Sequence, residues 1–369
     1  MERRLTAKAG TDGHSLAVGQ RVVWIDVAKA LGMFLVVWGH CVQNVMKFHD
    51  DDSMAVILLM RVIYPFHMPL FFIIAGLTFN PHAELPYRDF VIKKAKGLIY
   101  PYFTLSLCAF PIWLVERRVG AVQPDSIRSI VVGTFYSNAP VVRGIANAGW
   151  FMLTLFLAEC LMGALARQAN DIRDLVIMSM GVLLIGVGAT QHELVRVMPW
   201  HIGVVLICQF YVLVGHLVRM KGFDAIDAWS GGRRVLAGCL LTVFATLCMV
   251  TNERVDYSNS YYGNIVNAIG SAVGYSLVTI MVVRSLCKVC GRLRLLPYIG
   301  RNTVIYLMLH VNVIRLIQHY WPVTELRIAT ATVTALALYA ALLIPVFVLN
   351  TIAPALVRFP KRAKAGAVA

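Results

Sequence analysis

Ten apolar segments, each long enough to cross a lipid bilayer as an α-helix, constrain this chain more than any other feature of its sequence. Of its 369 residues, 59% are hydrophobic and only 14% are charged, a composition outside the range of soluble globular proteins. We therefore predict an all-α, polytopic integral membrane bundle of about ten transmembrane helices. The predicted segments are 22–46, 54–79, 97–115, 149–166, 174–191, 199–218, 235–251, 263–283, 298–319 and 328–353.

The distribution of basic residues predicts which side of the membrane each connection faces. The connections on one side, including 81–96, carry almost three times as many Lys and Arg as those on the other, including 116–148. By the positive-inside rule, we expect both termini to be cytoplasmic and the first helix to be retained, not cleaved as a signal peptide. The net charge of +15 then reports topology and does not indicate a nucleic-acid partner. The predicted organisation is a cytoplasmic N-terminal segment (1–21), one transmembrane domain (22–353) and a basic cytoplasmic tail (354–369).

The eight cysteines indicate neither a disulfide framework nor a metal site. Six of them lie singly in apolar segments, where a thiol behaves as a small hydrophobic group. Cys287 and Cys290 form a C-x-x-C pair, but no second pair of cysteines or histidines follows to complete a zinc site. We expect no bound metal and no bound cofactor.

Ionisable residues inside a membrane span are costly, so they are the first candidates for function. The first span contains Asp26, Lys29 and His40. Lys29 and His40 are eleven positions apart, which places them on nearly the same helix face and about 16 Å apart along the axis. This spacing fits a long ligand such as acyl-coenzyme A, with its phosphates near Lys29 and its thioester near His40 as a general base. Alternatively, Asp26 and Lys29 form an ion pair, and His40 donates a hydrogen bond between helices.

The second and third spans add histidine and lysine candidates. His67 lies between Pro65 and Pro69 in the second span. The prolines free backbone polar groups that other protein groups or a water-lined cavity must satisfy, so this break indicates either a site or a structural kink. Lys93 and Lys96 lie at the cytoplasmic edge of the third span. They either attract donor phosphates or serve as ordinary interfacial anchors.

Three further residues have supporting or structural interpretations. Glu159 in the fourth span is expected to form a structural ion pair with Arg61 or Arg315 across the bundle. His310 in the ninth span has either a packing role or a supporting polar role. Trp150 begins the fourth span, where we expect an aromatic anchor at the membrane interface.

Several of these segments, in this order, resemble the membrane acyltransferase family 3, in particular its branch of sugar O-acetyltransferases similar to fucose 4-O-acetylase. The family pattern of a basic residue, ten intervening positions and a histidine matches Lys29 and His40. The family's basic pair in the third span matches Lys93 and Lys96. Three other segments also look like family motifs: PFHMPLFFIIAG, GWFMLTLF and IYLMLH.

The resemblance implies an enzyme of the cell inner membrane that takes an acyl group, usually acetyl, from cytoplasmic acyl-coenzyme A as co-substrate. The implied acceptor is a hydroxyl of an exopolysaccharide or another envelope glycan, or of its lipid-linked precursor. The resemblance implies that His40 is essential and that Lys93 and Lys96 lie near the donor. We take His67 as the second catalytic candidate. This chain departs from the family in having lysine where arginine is commoner, and we expect no fused hydrolase-like domain. Lysine is a point charge and not a bidentate fork, so its phosphate contacts differ.

Two other classes of function remain open from the sequence. A transporter also requires intramembrane charges and proline-broken helices. A non-enzymatic component of a polysaccharide export system is the third alternative. Acyl transfer by the purified protein distinguishes the enzyme from both.

Overall fold

The computed structural model describes residues 22–49, 53–81, 85–222, 226, 228–289, 294–321 and 327–360. The predicted N-terminal segment, Cys290 and the tail beyond Pro360 lie outside these residues. The described part of the chain consists of helices and connections, with no β-strand, so the predicted all-α class is confirmed.

Most helices begin and end within a few residues of the predicted segment bounds. The third span begins ten residues earlier than predicted, and Ile127–Tyr136 is a helix within a predicted connection. The helices are α1 (Val23–His49), α2 (Met54–Ile63), α3 (His67–Thr78), α4 (Tyr87–Val119), α5 (Ile127–Tyr136), α6 (Trp150–Gln168), α7 (Ile172–Ala189), α8 (Ile202–Leu217), α9 (Gly231–Val250), α10 (Ile265–Val289), α11 (Leu295–Arg301), α12 (Thr303–Tyr320), α13 (Arg327–Ala341) and α14 (Leu343–Ile352). Short helical turns occur at Asn147–Gly149, Glu193–Arg196, Pro199–His201, Val218–Gly222, Tyr257–Asn259 and Pro354–Val357.

Nine segments in the described part of the chain are long and apolar enough to cross a membrane, so the protein is a polytopic membrane bundle. The ninth predicted segment, 298–319, is also helical, but His310, Asn312 and Arg315 lower the mean hydropathy of α12. This helix packs inside the bundle against α1 and α4, and its His310 and Asn312 side chains are fully buried. α12 therefore supplies polar groups to the interior of the bundle.

The second predicted span is broken at its first proline. α2 ends at Ile63, residues 64–66 form a turn, and α3 begins at His67. Pro65 has no backbone N–H, so it cannot continue the hydrogen-bond ladder of the helix. The break places the imidazole of His67 at the first position of α3, inside the bundle.

The third predicted span is longer than expected at its basic edge. α4 begins at Tyr87, so Lys93 and Lys96 lie on the helix and not in the connection before it. Lysine side chains extend along a helix toward the interface, which lets a helix continue past the apolar core of the membrane. Gly120, at a φ of +79°, ends α4 in the left-handed conformation that favours glycine.

Contacts between distant segments define one end of the bundle, which we call the basic end. It contains the starts of α1 and α4 and the ends of α10 and α14. Tyr100 donates a hydrogen bond to the carbonyl of Ala355, Asn350 bonds to Asn302, and the Arg284 guanidinium lies 5.9 Å from the Trp24 ring. Connections 120–146, 190–201 and 251–264 lie at the opposite end.

We predict that the basic end is cytoplasmic and that 116–148 is extracytoplasmic. A topology reporter fused after Phe79 and one inserted within 120–145 should give opposite signals, because α4 crosses the membrane between them. The excess of Lys and Arg at the basic end sets the direction. The same signal from both positions would overturn the topology.

Candidate active site

Three histidines from three distant parts of the sequence meet inside the bundle. The His40 ring on α1 lies 5.0 Å, between centroids, from the His310 ring on α12. His67 begins α3, and its ring lies 5.0 Å from that of Tyr64. A cavity of about 40 Å³ lies against this cluster, and its lining includes His40, Tyr64, His67, Trp150, Asp256 and Tyr257. The structure therefore brings together both histidines predicted to be catalytic, and it adds His310.

Hydrogen bonds fix which nitrogen of His310 carries the proton. Its Nδ1 lies 2.9 Å from the carbonyl oxygen of Tyr306 and 3.0 Å from that of Leu307. A carbonyl only accepts, so Nδ1 donates, and in the neutral ring Nε2 holds the lone pair. Within the described part of the chain, Nε2 is buried without a hydrogen-bond partner. The second nitrogen of His310 is thus available to take a proton.

His67 is held in the same way. Its Nδ1 donates to the carbonyl of Ile63 at 2.9 Å, so Nε2 of the neutral ring holds the lone pair. The hydroxyl of Tyr64, which also lines the cavity, is buried and has no hydrogen-bond partner among the described residues. A buried polar group without a partner is costly, and a substrate or water bonding to it removes that cost.

The connection 251–264 covers the cavity at the opposite end of the bundle and contributes Asp256, Tyr257 and Ser258 to its lining. Asp256 holds the connection in shape, because its carboxylate accepts from the Ser258 hydroxyl at 2.7 Å and the Asn259 amide nitrogen at 2.8 Å. Tyr257 bonds to the hydroxyl of Tyr211 at 2.6 Å.

Sequence reasoning missed this part of the site. A signal was present, because the run from Asn252 to Asn264 is rich in Asn, Ser and Tyr, and Asp256 begins the kind of turn in which an aspartate caps its own backbone.

The prediction that Trp150 is an interfacial anchor is wrong. Its side chain is buried, lines the cavity and packs against the His201 ring at 5.1 Å. The segment before it folds into the bundle, where Gly149 lies so close to Tyr102 that an added Cβ would come within 2.6 Å of the ring. This glycine lets the start of α6 pack tightly, which moves Trp150 inward.

The lysines predicted to bind the donor all lie at the basic end. Lys29 is half-buried on α1, and α1 is one continuous helix, so its predicted spacing of about 16 Å from His40 holds. Lys93 and Lys96 are exposed on α4, with the Lys96 ammonium 4.8 Å from the Phe359 ring. The lysines and the histidine cluster therefore occupy two separate regions along the same bundle axis.

The predicted partner of Glu159 is also wrong. Its carboxylate pairs with Lys94 at 2.5 Å, and the Lys94 ammonium lies near the Phe79 and Phe90 rings. Lys94 reaches Glu159 because α4 begins ten residues earlier than predicted and packs against α6.

Arg315 and the remaining acidic candidate, Asp26, have other positions. Arg315 pairs instead with Glu116, a fully buried residue that sequence reasoning did not select, at 3.4 Å. Asp26 is buried where α1 meets α11, and Gly300 approaches so closely that an added Cβ would collide with the Asp26 carbonyl. Asp26 thus lies apart from the histidine cluster, at the basic end.

Comparison with models of known protein families gives a match. A family model described as an acyltransferase domain matches residues 22–352, which covers most of the chain and all of the site residues above. Searches of curated proteins and of solved structures found no match.

Proposed function

This chain belongs to the membrane acyltransferase family 3, and from that premise we propose its acyl donor, its acceptor and its location. The donor is cytoplasmic acyl-coenzyme A, most simply acetyl-coenzyme A. The acceptor is a hydroxyl of an exopolysaccharide or another envelope glycan, or of its lipid-linked precursor. The protein acts in the cell inner membrane.

The meeting of His40 with His310 and His67 beside a small cavity carries this proposal. Acyl transfer to a hydroxyl requires a base, and imidazole is the side chain whose ordinary pKa suits that task near neutral pH. Two of the three rings present Nε2 lone pairs, because their Nδ1 atoms donate to backbone carbonyls. A buried arrangement of this kind supports proton transfer away from bulk water.

The proposed donor lies along α1, between the two regions of the site. Its phosphates contact Lys29, Lys93 and Lys96 at the basic end, and its pantetheine arm extends about 16 Å toward His40. The cavity of about 40 Å³ holds only a few water-sized groups, so side chains around it must move when the thioester enters. Lys93 and Lys96 are exposed at the basic end, where their charge attracts the donor phosphates.

In the proposed reaction, the acceptor oxygen attacks the acyl carbonyl carbon while His40 takes the hydroxyl proton. A carbon–oxygen bond forms, the carbon–sulfur bond breaks, and the proton passes to the departing thiolate to give free coenzyme A. The acceptor enters from the opposite end, where Tyr64 and the connection 251–264 line the cavity. The unsatisfied Tyr64 hydroxyl is positioned to bond to an acceptor oxygen or to the developing oxyanion.

Mass analysis of cell-surface glycans tests this function directly. Cells that contain the chain should carry ester-linked acyl groups that matched cells without it lack. If glycans from cells with and without the chain carry the same esters, the proposal that a glycan is the acceptor is wrong. Release of free coenzyme A by the purified protein then separates an acyltransferase with another acceptor from a transporter or a non-enzymatic export component.

We predict that changing Lys93 and Lys96 to alanine together raises the KM for acyl-coenzyme A more than it lowers protein yield. The two side chains are exposed, so their loss removes attraction for phosphate and little packing. Initial rates across donor concentrations measure this effect. An Arg88→Ala variant is the matched control, because Arg88 is an exposed cation on the first turn of the same helix. An unchanged KM with full activity would show that the lysines only anchor the helix.

A further inference from the structure

A groove between α9 and α10 lies apart from the histidine cavity. Its volume is about 530 Å³, within the usual range of ligand-binding sites. Both helices are candidate membrane spans, and Val235 and Leu286 beside the groove are more than half exposed, so the groove opens toward lipid. Its walls are mainly aliphatic, including Val235, Leu241, Leu277, Ile280 and Met281.

Three cations lie at one end of this groove. Arg234 is on the first turn of α9, and Arg284 and Lys288 are on the last turns of α10, so all three are at the basic end. Among the described residues that line the groove there is no Asp or Glu. A guanidinium matches the geometry of a phosphate, and basic pockets between transmembrane helices suit anionic headgroups.

We propose that this groove binds one anionic phospholipid, of the phosphatidylglycerol type. Its phosphate contacts Arg234, Arg284 and Lys288, and one of its acyl chains lies along the aliphatic wall. A zwitterionic lipid fits less well, because the positively charged ammonium of its headgroup would face three cations. The binding strengthens the contact between α9 and α10, and it stabilises the folded chain as the lipid concentration rises.

This lipid is not the acyl acceptor. Lys288 lies 23 residues beyond Ile265, where the connection that covers the histidine cavity joins α10, and this separation is about 34 Å along the helix. The inference therefore stands independently of the glycan and donor proposed above. Its test requires no enzymatic activity.

The test compares phosphatidylglycerol with phosphatidylcholine on the full-length protein in neutral detergent. Native mass spectrometry measures the fraction of folded protein with lipid bound, and a thermal melt measures Tm. We expect phosphatidylglycerol to bind at least tenfold more tightly and to raise Tm further. Each cation near a membrane surface contributes roughly a fivefold effect on binding, so Arg234→Gln with Lys288→Gln should remove most of this preference. Arg233→Gln should not, because Arg233 is exposed and outside the groove.

A second variant blocks the groove without changing any charge. Gly238 lines the groove, and an added Cβ there meets no atom within 4 Å, so Gly238→Leu fills the space and should reduce lipid binding. Gly181→Leu on α7 is the matched control, because its Cβ also meets open space and Gly181 does not line the groove. Equal binding of the two lipids to the unmodified protein would overturn the proposal. The proposal would also be overturned if the Arg234→Gln, Lys288→Gln double variant preferred phosphatidylglycerol over phosphatidylcholine as strongly as Arg233→Gln does.

Discussion

Replacing His40 with alanine should reduce acyl transfer by about 10²–10⁴-fold, the usual effect of losing an acid–base group. The imidazole lies beside His310 at the cavity, where it takes the proton of the acceptor hydroxyl in the proposed reaction. Insertion and yield should remain normal, because removing a polar ring from a membrane span relieves a burial cost. Initial rates with saturating acyl-coenzyme A, corrected for the amount of inserted protein, measure the effect.

The matched variants for this prediction are His67→Ala and His319→Ala. His67 lines the cavity, so its loss should reduce activity less than that of His40 if it only orients substrate or its own helix. His319 is exposed near the end of α12 and should be neutral. A well-inserted His40→Ala protein with substantial activity would exclude His40 as the base. If His67→Ala alone abolished activity, the base would instead lie on α3.

Replacing His310 should reduce kcat by about 10²-fold with little change in the KM for acyl-coenzyme A. His310 is fully buried, and its Nε2 lone pair belongs to the histidine cluster, whereas the proposed donor phosphates lie at the basic end. The His310→Asn variant tests whether His310 takes part in proton transfer. The Asn amide can still donate to a backbone carbonyl as Nδ1 does, but it cannot accept a proton.

The outcome of this variant separates catalysis from packing. If His310 only packs α12 against α1, His310→Asn should keep most of its activity and His310→Ala should lower Tm. If His310 handles the proton, both variants should lose activity to a similar extent at normal yield. Wild-type kcat in His310→Asn would show that His310 takes no part in the proton transfer.

The sequence predicted the fold well, because spanning helices are specified locally. The lengths of the apolar segments predicted where the helices lie, and Pro65 correctly indicated a break in the second span next to His67. The relation between Lys29 and His40 was also predictable, since both lie on one uninterrupted helix. These features depend on residues no more than about twenty positions apart.

The features that sequence reasoning missed depend on packing between distant helices. His310 meets His40 because α12 packs against α1, and nothing in the local spacing of either helix indicates this contact. Glu159 pairs with Lys94 because α4 is longer than its apolar core. Asp256 reaches the cavity because its connection folds inward, although polar connections normally remain at the surface.

The role of His40 in acyl transfer from acyl-coenzyme A can be measured directly in membrane vesicles. Membrane vesicles with the basic end facing outward are supplied with acetyl-coenzyme A labelled in its acetyl group. We predict that wild-type vesicles transfer label to a glycan or lipid-linked acceptor and release an equal amount of free coenzyme A, while His40→Ala vesicles remain at background. Transfer by His40→Ala vesicles at the wild-type rate, or no release of coenzyme A by wild-type vesicles in the presence of acceptor, would contradict it.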